Sequence, residues 1–103
     1  MKATTANGAE PSAVVWRVDV VVMPKPGVND PEGEAILGGL HSLGYGEAHR
    51  VRAGRIYALE IEAEDEASAR RRAEEMADRL LANPVIQVFH IQAVTAVEGA
   101  RIS

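Results

Sequence analysis

The chain has 103 residues, 47% apolar and 25% charged, with a formal charge of −4 and no cysteine. That length suits one domain with a modest core and leaves little room for a second. The missing cysteine excludes disulfides, thiolate metal sites and cysteine nucleophiles, and the acidic balance argues against binding nucleic acid through a basic surface.

Met1 to Pro11 is rich in Ala, Thr, Gly and Asn and lacks apolar periodicity. Residues 1–13 are therefore expected to form a disordered tail. Nothing near the start reads as a signal peptide, and no apolar run reaches the ~20 residues of a membrane helix. A cytoplasmic location follows as an expectation. The single domain is expected over 14–97, with 98–103 as a frayed end.

Val14 to Met23 reads as a strand, with Val14, Trp16, Val18, Val20 and Val22 sharing one face. Pro24 and Pro26 terminate it. A helix is expected from Asp30 or Pro31 to Leu43. Asn29 or Asp30 caps it, Pro31 suits its first turn, and Glu32 and Glu34 complement its dipole. Ile36, Leu37, Leu40 and Leu43 make the stripe to be buried. Gly38 and Gly39 inside it cost ~1 kcal/mol each relative to alanine, which suggests that something packs very close there. Gly44 is placed to stop the helix in a left-handed conformation.

Glu47 to Arg52 and Arg55 to Ala63 read as a hairpin around Ala53-Gly54. In its second arm Tyr57, Leu59, Ile61 and Ala63 face inward. A second helix is expected from about Asp65 to Ala82, its seam formed by Ala69, Ala73, Met76, Ala77, Leu80 and Leu81. Asn83-Pro84 stops it, and Val85 to Val94 forms the last strand, with Ala93 to Ser103 extending it before fraying.

The expected fold class is α+β, a two-layer sandwich of order β-α-β-β-α-β. Two helices would cover one face of a four-stranded antiparallel sheet, as in ferredoxin-like folds. The other face carries Val21, Ile56, Ile86 and Val88, an apolar surface that calls for another chain.

Little chemistry is legible. His41, His49 and His90 are not at metal-ligand spacings. Ser42 follows His41 directly, and helical neighbours point about 100° apart, so they are no activated pair. The glycines do not follow a strand in a phosphate-loop pattern. The acidic run Glu60, Glu62, Glu64, Asp65 and Glu66 reads as a strand's outer face and a helix start, and Arg70-Arg71-Arg72 as a solvated face. Arg50, Arg52 and Arg55 admit two readings: a solvated hairpin end, or a docking surface for a partner or anionic group.

Four blocks carry a family likeness: Asp30-Pro31-Glu32-Gly33, Leu40-His41-Ser42-Leu43-Gly44-Tyr45, Val51-Arg52-Ala53-Gly54-Arg55, and Leu80 through Ile86. In this order the chain, from Val14 to about Val97, resembles the PurS family, the small subunit of phosphoribosylformylglycinamidine synthase. The resemblance implies a subunit with no catalytic site, no bound cofactor and no metal of its own. It implies a homodimer, or a tetramer, bridging a glutaminase subunit (PurQ) and an ATP- and Mg-using synthetase subunit (PurL), and helping ammonia pass between them. Arg50, Arg52, Arg55, His41 and Tyr45 become the candidate docking residues. The family usually has lysine where Arg55 stands and bulkier residues at Gly38-Gly39. It commonly has polar residues where this chain has Gln87, Val88 and Phe89. An ACT-type small-molecule sensor, with its effector at the Pro26-Gly27-Val28 turn, is the alternative of a different class. A small ferredoxin-like enzyme is disfavoured by the lack of a clustered acid-base pair.

Overall fold

The computed structural model describes residues 14–97; the expected tail over 1–13 and frayed end over 98–103 lie outside them. Five elements and one irregular turn follow in order: β1 Val14–Pro24, α1 Pro31–Ser42, β2 Arg55–Ala63, α2 Glu66–Met76, a π-type turn over Ala77–Leu81, and β3 Gln87–Ala96.

β1 is the central strand of an antiparallel sheet of order β2-β1-β3. Val18 stands opposite Leu59 on one side and Val94 on the other. Opposite Asp19/Val20 the β3 register shifts by one residue, which changes the side-chain phase. Phe89 and Ile91 before the shift and Val94 after it thereby all pack against the core. That core is Val18, Val20 and Val22 from β1, Ile61 from β2, Ala69 and Ala73 from α2, Ala77 from the π-type turn, and Ala82 just after it. Three alanines on one helix face let α2 approach the valines closely. Each fully buried valine contributes about 1.5–3 kcal/mol.

The expectation of a four-stranded sheet is corrected: the sheet has three strands. Glu47–Arg52 is irregular, and Ala53-Gly54 is no hairpin turn. Ladder pairing of β2 with β1 begins at Arg55 opposite Val22, so the preceding residues run beyond the sheet. They are held by side chains instead, since Arg52 donates to the Pro24 carbonyl and the Ala53 amide to Asp30. Gly54 lies so close to the Val22 carbonyl and Met23 Sδ that a Cβ there would collide with both.

The expectation of two helices on one sheet face is also corrected. α2 packs against all three strands, whereas α1 has no comparable packing against any of them. The N-terminal end of α1 is the part buried, with Gly33 against the Val51 carbonyl, and His41 in its last turn bonds Ala48 O. The expected stripe is therefore open: Leu37 and Leu40 are half-buried, while Ile36 is 46% and Leu43 76% exposed. Among the described residues, nothing lies within 4 Å of where a Cβ would stand at Gly38 or Gly39. Gly44, at φ +100°, does stop the helix, with Tyr45 N–H donating to Leu40 O and Gly44 N–H to His41 O.

The second helix deviates at its end. The amide of Ala82 donates to Ala77 O across five residues at 2.9 Å, a π-type bond that widens the turn. Ala69, Ala73 and Ala77 keep to the buried seam, Leu81 is half-buried, and Leu80 swings out to 83% exposure. Asn83 then turns the chain, its side chain accepting from the Val85 amide and its carbonyl from Gln87. β3 consequently starts at Gln87 rather than Val85.

Candidate functional site

The segment between β1 and α1 is built on a tight turn. Pro26 and Gly27 occupy its centre, the Val28 amide donates to Lys25 O at 3.1 Å, and Gly27 has φ +84°. Proline followed by a glycine of positive φ is the signature of a type II turn. Asp30 closes the segment. One carboxylate oxygen caps α1 by accepting from Gly33 N–H at 3.0 Å, and the other accepts from Ala53 N–H at 2.9 Å. These amides, Ala53 foremost, hold the Asp30 pKa below its ordinary 3.8, with the Arg52 charge adding to them.

The return from α1 to β2 is tied down along its length. His41 Nε2 lies 2.7 Å from Ala48 O, a contact that requires the proton on Nε2 so that the carbonyl accepts. The Ala48 amide donates to Tyr45 O, Arg52 reaches Pro24 O and Ala53 reaches Asp30. An irregular stretch is thus held beside the helix without a ladder.

A cleft of about 630 Å³ opens between the turn, α1 and the return segment. It is lined by Lys25, Arg50, Arg52 and His41 together with the apolar Val28, Leu37 and Val51. Of the candidate docking residues, the fold brings together Arg50, Arg52 and His41. Arg55 lies in a separate hollow with Asn29, Pro31 and Gly54. Tyr45, 52% exposed, follows the end of α1 and does not line the cleft. Lys25 was missed by sequence reading; its one signal was a cation enclosed by two prolines in a turn.

The reverse face of the sheet is a second surface. Ile56 is 57%, Ile86 42% and Val88 45% exposed, around a half-buried Val21. His90 stands opposite Val21 in the ladder, and Arg17 pairs with Asp19 at 2.9 Å. Among the described residues, no group of three or more His, Asp or Glu side chains is placed to hold a metal. His41 Nε2 is committed to Ala48 O, and no hydrogen bond joins His41 to Ser42 among the described residues. In the acidic run Asp65 caps α2, accepting from Ser68 N–H at 2.8 Å, which lowers its pKa.

Comparison with known proteins agrees with this anatomy. Residues 17–95 match the family model described as PurS: phosphoribosylformylglycinamidine (FGAM) synthase. A phosphoribosylformylglycinamidine synthase subunit PurS from Synechocystis is 43% identical over 81 residues, covering 79% of this chain and 80% of that protein. Its counterpart from Archaeoglobus fulgidus is 44% identical over 73 residues, covering 71% and 91%. Among solved structures, Thermus thermophilus PurS superposes with a TM-score of 0.75 at 30% identity, over 81% of this chain and 98% of that one. A chain of the Thermotoga maritima PurLQS structure does so with a TM-score of 0.69 at 26% identity, over 81% and 98%. On the match from residue 17 to 95, the chain belongs to the PurS family.

Proposed function

We propose that this chain is the noncatalytic small subunit of a phosphoribosylformylglycinamidine synthase complex of purine biosynthesis. In this reading it bridges a glutaminase subunit and an ATP- and Mg-using synthetase subunit, in the cytoplasm, and assists ammonia transfer between them. The observation that supports it most is the combination of family membership with a helix whose apolar residues Ile36 and Leu43 find no cover among the described residues. A monomer rarely leaves so much of a helix stripe open. The likeness to a chain of a PurLQS structure points the same way.

The physical reason for such a subunit is simple. Ammonia released into water is diluted and mostly protonated, and ammonium is no nucleophile. Holding two active sites in fixed register retains the effective concentration of an intramolecular transfer. A second copy of the chain belongs to this reading, seated on the reverse face of the sheet around Ile56 and Val88.

The test is reconstitution of the three purified chains. Glutamine-dependent synthesis should require this subunit, while synthesis supplied with free ammonium should not. Full glutamine-dependent activity without it overturns the reading. The alternative, an ACT-type sensor, draws on the Pro26-Gly27 turn at the cleft wall. It predicts that an amino acid or nucleotide alone raises the melting temperature of the isolated chain.

A further inference from the structure

The charges of the cleft are the feature that neither the fold nor the core explains. In a chain of formal charge −4, Lys25 from the β1–α1 turn and Arg50 and Arg52 from the return segment face one groove. The acids that line it are Asp30 and Glu34. Asp30 has one oxygen on the Gly33 amide and the other on the Ala53 amide. Arg52 is likewise engaged, on the Pro24 carbonyl. The ion pairs among the described residues are Arg17–Asp19, Arg70–Glu66 and Arg72–Glu75, so Lys25 and Arg50 stand without an ion-pair partner. The groove is therefore pinned by two of its charged groups, Asp30 and Arg52, and presents three others, Lys25, Arg50 and the lone acid Glu34, so that its unengaged charge is net positive.

Part of its lining is apolar. Val28, Leu37 and Val51 line the same groove as the cations, and Leu37 continues into the open α1 stripe through Leu40 and Leu43. The missing side chain at Gly38, which also lines the groove, widens it on the helix side. A small anion would use the cations and leave the apolar lining wet. An extended acidic segment uses both, setting carboxylates on Lys25 and Arg50 and an apolar side chain against that lining.

We infer that this cleft docks an acidic, carboxylate-bearing segment of a partner subunit, with Lys25 and Arg50 as its electrostatic anchors. The inference rests on the subunit reading above and names a contact for it. Arg52 is a positioning residue that holds the return segment, and Gly27 lets the turn place Lys25 on the rim.

The test uses the full chain with the purified glutaminase and synthetase subunits. Lys25→Glu with Arg50→Glu should weaken assembly at least tenfold in a binding titration. Circular dichroism and the melting temperature of the isolated chain should stay unchanged. Arg71→Glu with Arg79→Glu imposes the same change of net charge away from the cleft and should leave affinity within about threefold. Raising salt to about 0.5 M should weaken the wild-type complex and narrow its difference from the cleft variant. Equal assembly by wild type and cleft variant overturns the inference while leaving the subunit reading intact. Saturable shifts of the Lys25 and Arg50 amide resonances with inorganic phosphate alone, and none with the partners, overturn it in favour of a small-anion site. A wild-type chain that joins neither subunit overturns both.

Discussion

Asp30 joins two parts of the chain through one carboxylate, capping α1 at Gly33 and holding Ala53, twenty-three residues away. Its folded pKa lies below the ordinary value because those amides favour the charged form. The sign follows directly. A carboxylate with a depressed folded pKa adds stability that is complete above the unfolded pKa of 3.8 and is lost as pH falls through the lower folded value. At neutral pH, Asp30→Asn should therefore lower the melting temperature. The gap from wild type should narrow as pH falls below about 4, as protonation removes the advantage of the charge. Thermal melts from pH 7 to about pH 2.5 measure this, and a gap that does not change with pH refutes it. Asp65 is depressed in the same way, yet its bond to Ser68 spans three residues of one helix start. Asp65→Asn should spare the return segment, whose amides should keep their exchange protection.

At the level of elements, local signals were legible and the long-range pairing was not. The valine alternation of β1, a cap at Asn29 or Asp30, the Gly44 stop and the alanines of the α2 seam were all readable, because each follows from a few adjacent residues. The fourth strand was misread because Glu47–Arg52 reads as a strand in the sequence, yet has no ladder partner among the described residues. Its fate is decided by Asp30 and Pro24, far off in sequence, and no periodicity reports such contacts. The burial of α1 was misread for a related reason: an apolar stripe announces that it will be covered, without saying that the cover lies in the same chain. Arg50, Arg52, Arg55, His41 and Tyr45 were read as one candidate group, of which the fold gathers Arg50, Arg52 and His41 at the cleft, whereas Lys25 joins them only through the folded turn. The π-type turn also escaped a 3.6-residue reading, and it yields a test. Leu80→Ser should change stability by less than about 0.5 kcal/mol, because that side chain is outside the seam. Leu81→Ser should cost about 1–2 kcal/mol, since it removes partly buried apolar surface and buries a hydroxyl. Equal costs in urea titrations would mean that α2 keeps a regular turn to its end.

For the whole molecule, the distribution of apolar surface matters more than its amount. One sheet face is sealed by α2, and the other displays Ile56 and Val88 beside a half-buried Val21. If a second copy seats there, Ile56→Arg with Val88→Arg should convert the dimer to a monomer in sedimentation, since each face would then carry repelling charges. The secondary structure should persist, because neither side chain belongs to the buried cluster. An unchanged sedimentation coefficient would move the dimer contact elsewhere, with the open stripe of α1 as the next place to look.

The sheet's flanks have a consequence for the cell. With β1 in the centre, β2 and β3 each leave one side of their backbone without a ladder among the described residues. Strands open in this way invite pairing with whatever extended chain drifts past. Glu60 and Glu62 discourage it on β2, whereas Val88 to Ile91 on β3 carry no such guard. Copies made in surplus would be prone to clump, so matched synthesis with binding companions would protect the pool better than abundance would.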